Sequence, residues 1–227
     1  MATLILTRHA QASLGKQDYD QLSDLGHKQA HLLGEYFDST SIKPSRVICG
    51  SLKRHIETAD AITRSLQYNQ AIETDPRWNE FDFKGLIKAY LSLNSDQAFN
   101  LSRDSNPATF FKLLKKAMFA WANNDLVGLV DESWSDFEYR IETGLEAIRQ
   151  QADRDDTVML VSSGGAISMA IRKVMGLSVE QMIDINFQIK NASYASFDIK
   201  RDRMVLSGFN HTPHLELDEG KTLISYA

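Results

Sequence analysis

The sequence predicts an α/β fold of three layers, with helices on both faces of a central, mostly parallel sheet. Three observations lead there. Short apolar runs of β-prone residues recur along the chain, stretches of helical length separate them, and two strand-like segments follow one another directly only near the C-terminus. Strands joined through helices run parallel, because a parallel neighbour needs a crossover of that length.

The first run, Thr3-Leu4-Ile5-Leu6-Thr7, breaks off at Arg8-His9-Ala10-Gln11-Ala12-Ser13, so it reads as a buried strand with Arg8 and His9 at its end. Ser23 suits an N-cap for a helix to about Phe37, with Leu25, Ala30, Leu32, Leu33 and Tyr36 supplying much of its apolar content. Arg46-Val47-Ile48-Cys49-Gly50 reads as a second buried strand, followed by a helix from about Leu52 to Gln67 and a short third strand at 71–74.

The alternation then lapses. From Glu80 to about Glu132 the chain reads mainly as helices, including Pro107 to Asn123, where Phe110, Phe111, Leu114, Met118 and Trp121 recur at helical spacing. Pro107 suits a first helical position. Aromatics so spaced make core, and the stretch is expected to be a helical insertion over the strand ends. A helix from about Trp134 to Ala152, a central strand Thr157–Val161 and a helix Ala166–Met175 resume the pattern. Residues 193–199 and 203–209, around Lys200-Arg201-Asp202-Arg203, fit an antiparallel hairpin or edge pair. Without a repeat or a linker rich in Gly, Pro or Ser, residues 1–227 are expected to form one domain carrying an insertion at about 80–132.

Composition narrows the function. Among 227 residues, 43% are hydrophobic and 24% charged, as in a folded globular protein, and the net charge is -5. That balance argues against nonspecific binding to nucleic acid or to a membrane surface, so any bound anion needs locally placed Arg or Lys. No apolar stretch approaches the ~20 residues that span a bilayer, and the N-terminus lacks the pattern of a signal peptide. The single Cys49 has no partner for an internal disulfide or a thiolate metal site. A cytoplasmic setting is the expectation. No heptad or edge-strand feature sets an oligomeric state.

Four strand ends or helix starts carry polar groups that can meet at one sheet edge, where α/β proteins bind ligands. Arg8 and His9 form the first: a guanidinium can grip phosphate oxygens bidentately, and a neutral imidazole nitrogen can attack phosphorus. The second is Gly50-Ser51-Leu52-Lys53-Arg54, with Arg54 in the first turn of a helix, where free N–H groups favour anions. The third, Asp75-Pro76-Arg77-Trp78-Asn79-Glu80, supplies Glu80 as an acid for a leaving oxygen, with Asp82 close enough to compete. The fourth, Ser162-Ser163-Gly164-Gly165, is a strand-to-helix turn whose small residues admit a ligand to the backbone.

In this order the segments resemble the histidine phosphatase superfamily, also called phosphoglycerate mutase-like, over nearly the whole chain. Leu6-Thr7-Arg8-His9-Ala10 is similar to its Arg-His-Gly signature, and Ser23 with Gly26, Gln29 and Ala30 to the helix after it. Ser51-Leu52-Lys53-Arg54 with Thr58-Ala59 resembles the segment bearing the second phosphate-binding Arg. Asp75–Glu80 resembles the segment ending in the acid, and Asn210 with His214-Leu215 the end of the domain.

The resemblance implies one antiparallel edge strand, a phosphohistidine at His9, a phosphate clamp of Arg8 and Arg54, Glu80 as proton donor, and neither metal nor other cofactor. Gln11, Ser13, Ser163 and Gly164 are expected to help bind a small phosphorylated substrate. A metal-independent phosphatase of such metabolites is the function implied. The alternatives are a weak or inactive protein that holds a phosphorylated ligand, and a phosphomutase. Phe81-Asp82-Phe83-Lys84-Gly85 does not match the stretch by which the mutases retain their intermediate.

Two positions depart from the family pattern. Gly15 stands where many members have a phosphate-contacting Asn, and Ser163 stands where the family has a second His. A Ser can donate one hydrogen bond but carries no charge, and loss of one preorganised donor lowers turnover by roughly 10²- to 10³-fold. On that basis Ser163→His is expected to raise turnover. His27 and His31 fall on the first helix in solvated or capping positions, whereas His55, His211 and His214 remain open as replacements for the missing imidazole.

Overall fold

The computed structural model describes residues 1–13, 20–96, 107–216 and 223–226. Gly15 lies outside them. Among the described residues, six strands form one sheet in the order β3-β2-β4-β1-β5-β6. Strands β1 (Ala2–Arg8), β2 (Arg46–Cys49), β3 (Glu73–Thr74) and β4 (Thr157–Ser162) are parallel, and the hairpin of β5 (Tyr194–Ile199) and β6 (Met204–His211) joins β1 antiparallel through β5. The expected α/β architecture with an antiparallel edge is thus present.

Among the described residues, the helices that flank the sheet include α1 (Asp24–Ser39), α2 (Lys53–Ser65), α3 (Phe83–Leu93), α4 (Pro107–Ala122), α5 (Trp134–Gln151), α6 (Gly164–Met175) and α7 (Val179–Asn186). Alternation along the strands divides the core in two. Leu4, Leu6, Ile48, Val158 and Leu160 face a cluster built with α3 to α7, while Ile5, Val47, Cys49, Met159 and Val161 face a second cluster with Ala30, Leu33, Phe37, Ala59 and Ile62 of α1 and α2. A strand buried on both faces has no polar side to alternate, which is why β1 and β4 read as continuous apolar runs.

Local chemistry sets the helix ends. The Ser23 hydroxyl accepts from Gly26 N at 3.0 Å and caps α1 as expected. The Asp82 carboxylate accepts from Lys84 N and Gly85 N and caps α3. Helix α6 starts at Gly164, two residues before the sequence suggests, and α7 has no counterpart in the sequence reading. Eight residues are too few for a clear helical period, though Ser178 and Gln181 form a capping box that marks its start.

The helical region after Glu80 joins the larger core. Leu114, Met118 and Trp121 are buried, and Trp121 lies 5.3 Å from Phe81 and 5.4 Å from Phe137, ring to ring. Phe110 is partly buried, and Phe111 is 38% exposed, lying against Phe187. No helix among the described residues is long and apolar enough to cross a membrane.

Candidate active site

The end of β1 is the base of the site. His9 N donates to Ser162 O at 2.8 Å on β4, Ala10 N donates to Thr58 Oγ1 at 3.1 Å on α2, and Asn191 Nδ2 donates to His9 O at 3.3 Å. These bonds fix the main chain that carries the ring. The ring of His9 is buried, and its Nδ1 lies 2.8 Å from Ala10 O. A carbonyl only accepts, so Nδ1 carries the proton and Nε2 presents a lone pair. Arg54 Nε donates to that Nε2 at 3.2 Å. Burial first, then the charges of Arg54 and Arg8 and the neighbouring His55, hold the His9 pKa well below the usual histidine value. His9 is a neutral, oriented base.

Two guanidinium groups serve this edge. Arg8 Nη1 donates to Ile189 O, and its Nε lies near Gly164, where a Cβ would come within 3.8 Å of it. Arg54 is buried in the first turn of α2, donating to Asp20 Oδ1, to His9 and, from Nη2 at 3.4 Å, to Ser163 Oγ. Asp20 also accepts from Lys53 N at 2.8 Å.

Glu80 reaches the site from the segment after β3. That segment is pinned from several sides: the Asp75 carboxylate accepts from Arg77 N, Arg140 Nη1 donates to Arg77 O and Asn79 O, and Ser162 Oγ donates to Trp78 O at 2.6 Å. The Glu80 carboxylate accepts from Gly165 N at 3.1 Å and from Phe81 N at 3.2 Å. A Cβ at residue 165 would stand 2.2 Å from Glu80 Oε1 and 2.5 Å from the buried Phe81 ring, so Gly there lets the carboxylate approach the backbone. Burial raises the Glu80 pKa, against the opposing pull of these N–H groups, Arg54 and Arg8. Asp82, the competing acid, is exposed and occupied in capping α3.

Arg8, His9, Arg54, Glu80, Ser163 and Gly164 therefore converge. Gln11 and Ser13 hydrogen-bond within the chain: Ser13 Oγ donates to Leu22 O at 3.0 Å, and Gln11 Oε1 accepts from Ser23 Oγ at 2.7 Å. Both bonds tie the loop after β1 to the start of α1. Of the three open histidines, His55 approaches His9, with ring centroids 5.6 Å apart, while His211 lies against Tyr194 and buried His214 against Tyr36. Sequence reasoning missed Asp20, Arg140 and Asn191, whose types and spacing carry no signal of their own. Among the described residues, no group of three or more His, Cys, Asp or Glu is arranged to hold a metal ion. Burial pushes the Cys49 thiol pKa up to about 11, away from reactivity.

The sequence pattern described as histidine phosphatase superfamily (branch 1) matches residues 4–212. No curated protein matches significantly. Solved structures share the fold. A phosphoserine phosphatase mutant from Entamoeba histolytica, in complex with phosphoserine, is 21% identical with a TM-score of 0.63, over 95% of this chain and 100% of that one. A phosphoglycerate mutase from Bacillus anthracis is 20% identical with a TM-score of 0.65, over 94% of each chain. A mycobacterial glucosyl-3-phosphoglycerate phosphatase in complex with inorganic phosphate is 21% identical with a TM-score of 0.62, over 93% of this chain and 98% of that one.

Proposed function

This chain belongs to the histidine phosphatase superfamily, branch 1, and on that premise we propose that it hydrolyses small phosphorylated metabolites through a phosphohistidine at His9. The observation that carries this reading is the double hydrogen bonding of the His9 ring, Nδ1 to Ala10 O and Nε2 from Arg54 Nε. It leaves the attacking lone pair on Nε2, beside a guanidinium that can grip the phosphoryl oxygens.

An arriving phosphoryl group takes over the Arg54 donor that rests on Nε2. As Nε2 bonds to phosphorus, the ester P–O bond breaks and the leaving oxygen takes a proton from Glu80, whose raised pKa favours the protonated form. The positive charge on the phosphorylated ring is shared through Nδ1–H with Ala10 O. Arg8 and Arg54 neutralise the charge that builds on the phosphoryl oxygens. In the second half, water gives its proton to the Glu80 carboxylate and its oxygen to phosphorus, and the P–N bond breaks to restore neutral His9. These steps need no metal, and the setting proposed is cytoplasmic.

A panel of phosphorylated metabolites, with released phosphate as the readout, tests the reading. Wild type is expected to release phosphate and, after acid quenching, to carry an acid-labile phosphoryl group that His9→Ala lacks. Turnover that survives His9→Ala would overturn it.

A further inference from the structure

His55 and Ser163 meet beside His9. The His55 ring is fully buried, and its Nε2 lies 2.6 Å from Ser163 Oγ. Gly50 makes room for it, since a Cβ at that position would stand 2.2 Å from His55 Nδ1. Nδ1 itself has no hydrogen-bond partner. That orphan decides the tautomer. A proton on Nδ1 would bury an unpaired N–H, whereas a proton on Nε2 has Ser163 Oγ as acceptor and leaves only a lone pair unmet, the smaller penalty.

With His55 Nε2–H and Arg54 Nη2 both donating to it, Ser163 Oγ has both acceptor sites engaged, and its own proton remains to be given. Ser163 is the N-cap residue of α6, yet its side chain makes no capping bond to the helix. The hydroxyl is therefore not committed to secondary structure.

We propose that His55 and Ser163 act as one unit, in which His55 holds the Ser163 hydroxyl as a hydrogen-bond donor toward the oxygens of the phosphoryl group on His9. Ser163 touches the transferring group and is the catalytic member. His55 acts through it and is a positioning residue. The family pattern puts an imidazole at position 163, and here an imidazole from α2 stands behind the hydroxyl at that position. The unit supplies a donor but no charge, because burial and Arg54 keep His55 neutral. The inference rests on the phosphatase reading of the same pocket.

Titration with orthovanadate, which mimics the five-coordinate transferring phosphoryl group, and with inorganic phosphate tests the pair without requiring turnover. Vanadate affinity is expected to fall about tenfold in Ser163→Ala and by a similar factor in His55→Leu, with phosphate affinity changing less. The double variant should lose no more than Ser163→Ala alone, because His55 works only through the hydroxyl. His55→Gln keeps an N–H within reach of Ser163 and should stay within about twofold of wild type. Additive losses, or wild-type vanadate affinity in His55→Leu, would overturn the unit. Should His55→Leu fail to fold, wild-type vanadate affinity in Ser163→Ala overturns it equally. Non-additive losses in a protein without phosphatase turnover would keep the unit and reject the phosphatase reading. Turnover of an aryl phosphate with additive losses would do the reverse.

Discussion

Asp20 occupies both anion-binding features at the start of α2: its Oδ1 accepts from Arg54 Nη1, and its Oδ2 accepts from Lys53 N at 2.8 Å. A phosphoryl group that uses Arg54 has to compete with this carboxylate. Asp20→Asn retains an oxygen to cap Lys53 N but removes the competing charge. Inorganic phosphate is then expected to bind about fivefold more tightly at low ionic strength, in line with a partly exposed ion pair, with the gain shrinking as salt is added. Calorimetric titration of the folded variant checks this, and unchanged affinity would mean that Asp20 does not compete.

Glu80 and His9 have pKa shifts in opposite directions, Glu80 upward and His9 downward, both with burial as the largest cause. Neutral His9 then persists well below pH 6.5, while protonated Glu80 persists above the ordinary carboxyl range. For substrates with poor leaving groups, kcat/KM should fall on the alkaline side as Glu80 loses its proton. Glu80→Gln should remove that limb and impair alkyl phosphates by roughly 10²-fold or more, while activated aryl phosphates lose much less. Equal losses on the two substrate types would exclude Glu80 as the acid.

Ser163→His, which the sequence suggests as a gain, meets an occupied space. Ser163 is fully buried, and His55 Nε2 already stands 2.6 Å from its Oγ. A second ring forced into that volume displaces the first and strains the start of α6, an overpacking that typically costs about 1–3 kcal/mol. The single variant should lose both stability and turnover. The combination with His55→Ala, which vacates the ring's volume, should recover part of both, as read by thermal unfolding and by kcat on an aryl phosphate. A gain in the single variant would show that the His55 ring moves aside freely.

His214 is buried against Tyr36, and burial brings its pKa down from 6.5 to about 4. A folded-state pKa below the unfolded one means that the unfolded chain takes up the proton first. The stability contribution is therefore complete above pH 6.5 and is lost as the pH falls toward 4, amounting to about 3 kcal/mol in all. His9 and His55 act in the same direction. Chemical denaturation between pH 7 and pH 4 should show a steep decline for wild type and a shallower one for His214→Leu. Parallel declines would place the acid sensitivity elsewhere.

The residues of the chain determine by themselves the layers of the fold and the elements that carry the site. Strands buried on both faces must be continuous apolar runs, and the polar residues that interrupt them fall at strand ends, so Arg8, Arg54, Glu80 and Ser163 are legible as a group before any packing is known. Periodicity of this kind is a local property. Tertiary packing alone decides which side chains meet across the sheet edge. It brings His55 to Ser163 in the space that Gly50 leaves, sets Asp20 on Arg54, and places the Glu80 carboxylate on Gly165 N. Each of these contacts joins elements whose relative positions no local pattern encodes, and the low dielectric at the end of β1, which holds His9 neutral and keeps Glu80 protonated to higher pH, exists only once those elements close around it.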